Sequence, residues 1–305
     1  MRRHLSAIIN PIAGRRNRSR AMGRIARRIE DRGGDLAVHE SRGPGDARRI
    51  AESLDDATEA VLIVGGDGTV SDVVHGLGSR PLPIVIWPSG TENLLARELN
   101  MPSDPARVVE LLLTGERRSF DVGLVNGRRF VVVTGVGFDA ECVARLARRR
   151  TGHIGRASYL LPVWDTIRSH PFHPLVVEAD GTKVFDGPGF VLVGAISRYA
   201  AGLRVFPTAR CDDGWLDLLV FPSDSALRLL RHGVRALLGR HVGRGSVIDR
   251  RVRSVRITAA MPIPYQVDGD VGGVLPIDIT LAPGVGRYLA PADRNKAAGS
   301  TPACG

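Results

Sequence analysis

The sequence predicts an α/β N-terminal domain built on a parallel sheet (residues 1–122) and a mostly antiparallel, β-rich C-terminal domain (123–290). Three observations carry this. Up to about residue 120, short apolar runs alternate with helical stretches, the pattern of strands joined by crossover helices. Beyond that point β-rich segments follow one another with turn signals between them. After Tyr288 the composition becomes small and polar, so residues 291–305 read as a disordered tail.

In the first domain, strands are expected at residues 5–9, 36–39, 60–64 and 84–87. Three of these ends run into polar or glycine-rich loops: Asn10-Pro11-Ile12-Ala13-Gly14, Gly65-Gly66-Asp67-Gly68-Thr69, and the segment from Pro88 through Ser89, Gly90 and Thr91 to Asn93. Loops at the carboxyl ends of parallel strands converge on one crevice, so the three are expected to make a site. In the second domain, strands are expected at 130–134, 175–178, 190–195, 215–221, 252–257 and 274–281. Helices are expected at 140–150, 159–169 and 223–238, and Asp180-Gly181 is a hairpin turn.

The 305 residues are 43% hydrophobic and 24% charged, enough for two cores in a globular chain. No apolar run approaches the roughly 18 to 20 residues that span a bilayer. The apolar stretch after Met1-Arg2-Arg3-His4 stops at Asn10-Pro11, too short for a signal peptide, which argues against export. Cys142, Cys211 and Cys304 are scattered without CxxC spacing, which argues against a disulfide framework or a zinc site and suits a reducing cytoplasm. The net charge is +10, carried almost wholly by arginine, since Lys183 and Lys296 are the only lysines. Such a charge suits acidic lipid headgroups, nucleotide phosphates or polyanions. Nucleic acid is not expected as a partner, because the 5% aromatic content offers few stacking platforms and no helix-turn-helix, zinc or RNP-type pattern is present.

The chemistry concentrates in Gly65-Gly66-Asp67-Gly68-Thr69. It reads as a nucleotide phosphate site: its glycines remove Cβ atoms where backbone N–H groups must approach phosphate oxygens, and Asp67 can reach the Mg²⁺ that accompanies those phosphates. It is not a Walker A loop, since no lysine precedes Lys183.

The loops together, in this order and spacing, resemble the diacylglycerol kinase and sphingosine kinase family, especially its soluble bacterial lipid kinases. Phe120-Asp121-Val122-Gly123, Gly135-Val136-Gly137-Phe138-Asp139, Asp212-Asp213-Gly214-Trp215 and Gln266-Val267-Asp268-Gly269-Asp270 extend the resemblance over residues 5–290. It implies a nucleotide domain similar in outline to phosphofructokinases and NAD kinases, then a β-sandwich-like domain, with ATP and Mg²⁺ between them.

By motif matching, Asn10, Pro11, Ile12, Ala13 and Gly14 would line the nucleotide together with Gly65, Gly66, Asp67, Gly68, Thr69, Val70, Ser71 and Asp72. Ser41, Ser89, Gly90, Thr91 and Asn93 would add contacts, and Arg15 would neutralise phosphate charge. Asp121 matches an aspartate of the metal–water network. Asp213, with the backbone carbonyls of Arg210 and Trp215, resembles a second, structural Mg²⁺ site.

A carboxylate near the acceptor is expected as general base, and Asp270 is the candidate. The family usually carries Glu there, so this chain is one methylene short. Ser71-Asp72 likewise departs from the family's usual Asn-Glu. The implied activity is an ATP-dependent lipid kinase acting on a hydroxyl of a membrane lipid such as diacylglycerol. A sphingoid base, a glycerophospholipid headgroup or an isoprenoid-type alcohol remain alternative acceptors, and a catalytically weakened nucleotide- or lipid-binding regulator is the alternative of another class. Arg145, Arg148, Arg149, Arg150 and Arg156 form an acid-free segment suited to anionic phospholipid headgroups, hence a cytoplasmic, peripherally membrane-associated protein. A homodimer is left open.

Overall fold

The apolar run Ala60–Gly65 forms strand β3 and is buried along its whole length, as a central parallel strand covered on both faces must be. The computed structural model describes residues 1–12, 18–148, 160–243 and 247–291. Around β3, strands β1 (His4–Ile9), β2 (Asp35–Glu40) and β4 (Ile84–Pro88) pair in parallel in the order β4-β3-β1-β2. The outermost, β2, is correspondingly polar and largely exposed.

Helices cover both faces of this sheet. Helix α1 (Arg18–Glu30) points Ala21 and Met22, then Ile25 and Ile29 on the following turns, at one face. Helix α5 (Pro105–Thr114) joins it there; the Asp104 carboxylate caps the Arg107 N–H at 3.0 Å and Pro105 opens the helix. On the opposite face lie α2 (Asp46–Glu52), α3 (Asp67–Leu77) and α4 (Leu94–Glu98). Their core does not stop at the first half. It runs through Val131, Val132 and Val133 to Phe190, Leu192, Phe206 and Phe221 as one apolar cluster.

The rest of the chain builds β5 (Glu116–Val125), β6 (Arg128–Phe130), β7 (Val133–Val136), α6 (Phe138–Arg148), α7 (Leu160–Ser169), β8 (Pro174–Ala179) and β9 (Thr182–Gly194). Then follow β10 (Leu216–Pro222), α8 (Ala226–Leu237), β11 (Ile248–Val252), β12 (Ser254–Thr258), β13 (Pro264–Val267), β14 (Asp270–Val274) and β15 (Ile277–Ala290). Pairing is antiparallel throughout this set. The long β9 pairs with β8 through its first half and with β7 and β10 through its second, so it carries the sheet around a third core that includes Val177, Val193, Leu218 and Ile277.

The expected α/β plus antiparallel architecture is therefore present, with differences in detail. Residue 122 falls inside β5, which pairs with β15, and Tyr288 of β15 pairs in parallel with Ile84 of β4. The last strand thus returns to the first sheet and joins the halves. The expected strand 130–134 is interrupted between β6 and β7, because the N–H groups of Val131, Val132 and Val133 all turn to the Asp268 carboxylate. Segment 252–257 divides into β11 and β12 around Arg253, and 274–281 divides between β14 and β15.

Candidate active site

The three loops expected to converge do so. Strand β3 ends at Gly65 and α3 starts at Asp67, with Gly66 at the N-cap, where it has no side chain to cap the first turn. A Cβ on Gly90 would sit 2.6 Å from the Gly66 Cα, so the second and third loops touch backbone to backbone, and position 90 has room only for glycine. Asn93, held in the left-handed region (φ 50°), clasps Gly90 by accepting its N–H at 2.7 Å and donating to its carbonyl at 2.8 Å. From the first loop, the Asn10 Nδ2 donates to the Thr69 hydroxyl at 3.2 Å, and the Asn10 Oδ1 accepts the Ile12 N–H at 3.1 Å. Ser41 is tied to β1 through Ile9 and is buried. The Ser89 hydroxyl is buried beside this junction with no hydrogen-bond partner among the described residues.

Asp67 is half-buried at this junction. Its Oδ1 accepts the Leu94 N–H at 2.6 Å and the Leu95 N–H at 3.4 Å at the start of α4. Burial pushes its pKa up to about 6 despite those donors, and the Asp268 charge adds to the rise.

Asp268 arrives from the other half. Asp268 (φ 50°) and Gly269 (φ 87°) form the turn between β13 and β14, the geometry that Asp-Gly favours. The turn sends alternate carboxylates to opposite sides. Asp268 accepts three backbone N–H groups, from Val131, Val132 and Val133 at 2.9 to 3.0 Å, and the Ser71 hydroxyl of α3 at 2.8 Å. Asp270 stays exposed, 3.2 Å from an Arg128 nitrogen. The Asp72 carboxylate of α3 lies near enough for burial, and then the Asp270 charge, to raise its pKa. Two carboxylates from α3 thus meet two from the β13–β14 turn.

A second network holds that turn. The Gln266 Oε1 accepts the Gly269 N–H at 2.8 Å while its Nε2 donates to Asp139 at 2.8 Å, and the Tyr199 hydroxyl donates to the same carboxylate at 2.9 Å. Burial lifts Asp139 to about 6 against these two donors. Gly135 makes the room, since a Cβ there would stand 2.0 Å from an Asp139 oxygen.

Comparison with known proteins places these features in one lineage. Residues 4–125 match the diacylglycerol kinase catalytic domain, and residues 131–290 match the YegS C-terminal NAD kinase beta sandwich-like domain. A diacylglycerol kinase of Mycobacterium tuberculosis is 30% identical over 303 residues, covering 95% of this chain and 97% of that protein. The chain belongs to the diacylglycerol kinase catalytic-domain family. A Bacillus subtilis diacylglycerol kinase is 27% identical, over 88% of this chain and 90% of its own length. A crystal structure described as a diacylglycerol kinase from Bacillus anthracis shares the fold, with a TM-score of 0.71 at 20% identity, covering 95% of this chain and 97% of that one. Kinase chemistry on a lipid is thus the coarse activity of the family to which this chain belongs.

Other residues matched to the diacylglycerol kinase motifs fall elsewhere. Asp121 is buried, and its two oxygens accept the Gly214 and Gly284 N–H groups, each at 2.7 Å. It fastens β5 to the 211–214 turn and to β15. Arg210, Asp213 and Trp215 share that turn as expected. Asp213, however, accepts the Trp215 N–H at 3.2 Å and is ion-paired to Arg251, which with Arg253 also covers the Trp215 ring. With a guanidinium already matching the carboxylate, these residues do not fit a second, structural metal. Among the described residues no group of three or more His, Cys, Asp or Glu side chains is arranged to hold a metal ion. Ala13, Gly14, Arg15, Arg149, Arg150, Arg156 and the tail beyond 291 lie outside the described residues.

Arg128, Asp139 and the inward role of Asp268 were not assigned from the sequence. The alternation in Asp268-Gly269-Asp270 was a usable signal, because a tight turn must direct its flanking carboxylates differently.

Proposed function

We propose that this chain is an ATP- and Mg²⁺-dependent lipid kinase that phosphorylates a hydroxyl of a membrane lipid, with diacylglycerol as the acceptor. The observation that supports this most is the uncapped first turn of α3, set against carboxylates drawn from both halves of the molecule. The free N–H groups and dipole of a helix start favour phosphate. The orphan Ser89 hydroxyl and the Gly66–Gly90 contact fit a phosphate chain laid across the second and third loops. Asn10 and Thr91 are assigned to its flanks.

Asp67 is the carboxylate that would hold a divalent cation, with waters completing its shell. The Asp268 charge raises the proton affinity of Asp67, and a positive ion nearby would relieve it. Mg²⁺, held through Asp67 and water, would supply charge neutralisation on the phosphates. The chain's own residues do the remainder. The α3 N–H groups orient the terminal phosphate. Asp270 accepts the proton of the acceptor hydroxyl as its oxygen bonds to phosphorus and the bridging bond to ADP breaks. Asp268, tied to three N–H groups and Ser71, positions the turn that presents Asp270.

The test is transfer of radiolabelled γ-phosphate from Mg·ATP into a lipid panel dispersed in neutral micelles. Wild type should label diacylglycerol, and Asp270→Ala should lose at least about a hundredfold. ATP binding without labelling of any lipid would overturn the kinase. The Arg128–Asp270 pair favours a second reading, a weakened enzyme: there, Arg128→Gln or Asp270→Glu would raise turnover over wild type.

A further inference from the structure

Helix α8 is amphipathic in an unusual sense: its most apolar face is turned away from the protein. At about 100° per residue, Leu227, Leu230, Val234 and Leu237 fall within one arc of about 80°. All four are exposed, Leu227 at 71% and Leu237 at 68%. The side packed on the protein is instead carried by Leu229 and His232. Arg228, Arg231 and Arg235 line the next arc, and no acidic residue occurs in the helix. The neighbouring α7 adds Leu161 and Trp164, three apart on one face and exposed at 65% and 54%.

We propose that α8, with this edge of α7, docks flat on an anionic lipid bilayer. An apolar face bordered by arginine is what the headgroup boundary selects, since the leucines enter the acyl edge while guanidinium groups stay with phosphate. An exposed Trp beside it suits the same depth. A second copy of this chain fits less well. Two-fold pairing through the face would set its arginine border against the same border, and the one neighbouring carboxylate among the described residues at the helix start, Asp224, is already paired to Arg228 at 3.1 Å.

The surface is also rigidly tied to the acceptor half. The His232 Nε2 donates to the Pro222 carbonyl (2.9 Å), and the ring meets Phe221 edge-on. Phe221 stacks on Phe190 at 4.5 Å, and Phe190 touches Phe138 beside Asp139. This inference deepens the lipid-kinase reading by naming where that kinase meets its substrate surface.

The experiment is co-sedimentation of the full chain with phosphatidylcholine vesicles, with and without phosphatidylglycerol. It is run beside kinase activity on diacylglycerol in neutral micelles. Wild type should bind the anionic vesicles and release with salt. Leu230→Ser combined with Leu237→Ser should weaken binding by at least about tenfold, since each removes a leucine that would enter the acyl edge. Arg231→Glu should remove the preference for phosphatidylglycerol. Val38→Ser, an exposed apolar residue on β2, should change nothing. All variants should keep the wild-type melting temperature and micellar activity. Vesicle binding indifferent to the α8 variants, or a dimer in sedimentation that these variants dissociate while vesicle binding persists, overturns the docking surface. Loss of binding in the variants with no lipid labelled by any form would sustain docking and sink the kinase alone.

Discussion

Asp67 and Asp270 show how differently two carboxylates in one cleft are used. Asp67 is charged at neutral pH against its surroundings: its pKa of about 6 in the fold exceeds the ordinary 3.8. The folded state therefore holds this proton more tightly than the unfolded chain. The stabilising influence of protonation is complete below about 4 and is lost as pH rises through about 6. Asp67→Asn keeps an oxygen for the Leu94 N–H and discards the charge, so at pH 7 it should stabilise the ligand-free protein by about 1–2 kcal/mol while abolishing transfer. Melts at pH 7 and pH 4 check this, because the gain should vanish at the lower pH. Asp268 and Asp270 should separate in the opposite manner. Asp268→Ala strands three backbone N–H groups and should cost about 3 kcal/mol or more in denaturant unfolding. Asp270→Ala, exposed and paired only to Arg128, should lose activity with stability changed by less than about 1 kcal/mol.

Loop-to-helix junctions rather than long strands make the site. The Gly66–Gly90 contact leaves no space for a methyl group, and its obstruction is backbone, which cannot swing aside. Gly90→Ala should therefore push the second and third loops apart, weakening ATP binding by at least about tenfold and costing about 1–3 kcal/mol, read by nucleotide titration and thermal melting. Helix α3 is clamped along its length. Ser71 bonds Asp268, His75 accepts the Arg129 N–H at 3.2 Å, and the Arg129 guanidinium bonds the carbonyls of Val74 and Gly78. These junctions were legible where chemistry is local. The apolar run 60–64 followed by glycine disclosed β3 and the loop at its end, and Asp180-Gly181 disclosed its hairpin. Strand β5 was not legible, because Glu116, Arg117, Arg118 and Ser119 read as polar loop and their pairing partners lie in β15, far along the chain. The split of 130–134 was hidden for the same reason, since its cause is a carboxylate at residue 268.

For the whole molecule, the expected two-part organisation is visible in the strand directions, while the core disregards it: one apolar cluster contains residues of both halves. Denaturation should therefore proceed in a single transition, with fluorescence of Trp87 in the first half and of Trp215 in the second changing together; separate midpoints in single-tryptophan variants would contradict this. The return of β15 to β4 and β5 also bears on the order of events during translation. Everything that β15 completes must wait for it, because residues 277–290 leave the ribosome after every other described element. Until then β4 and the long β5 present bare hydrogen-bonding edges, the kind that recruit foreign strands. A nascent chain stalled before residue 277 should accordingly be bound by chaperones and cut by proteases, and release of the last strand should act as the latch that ends this vulnerable interval.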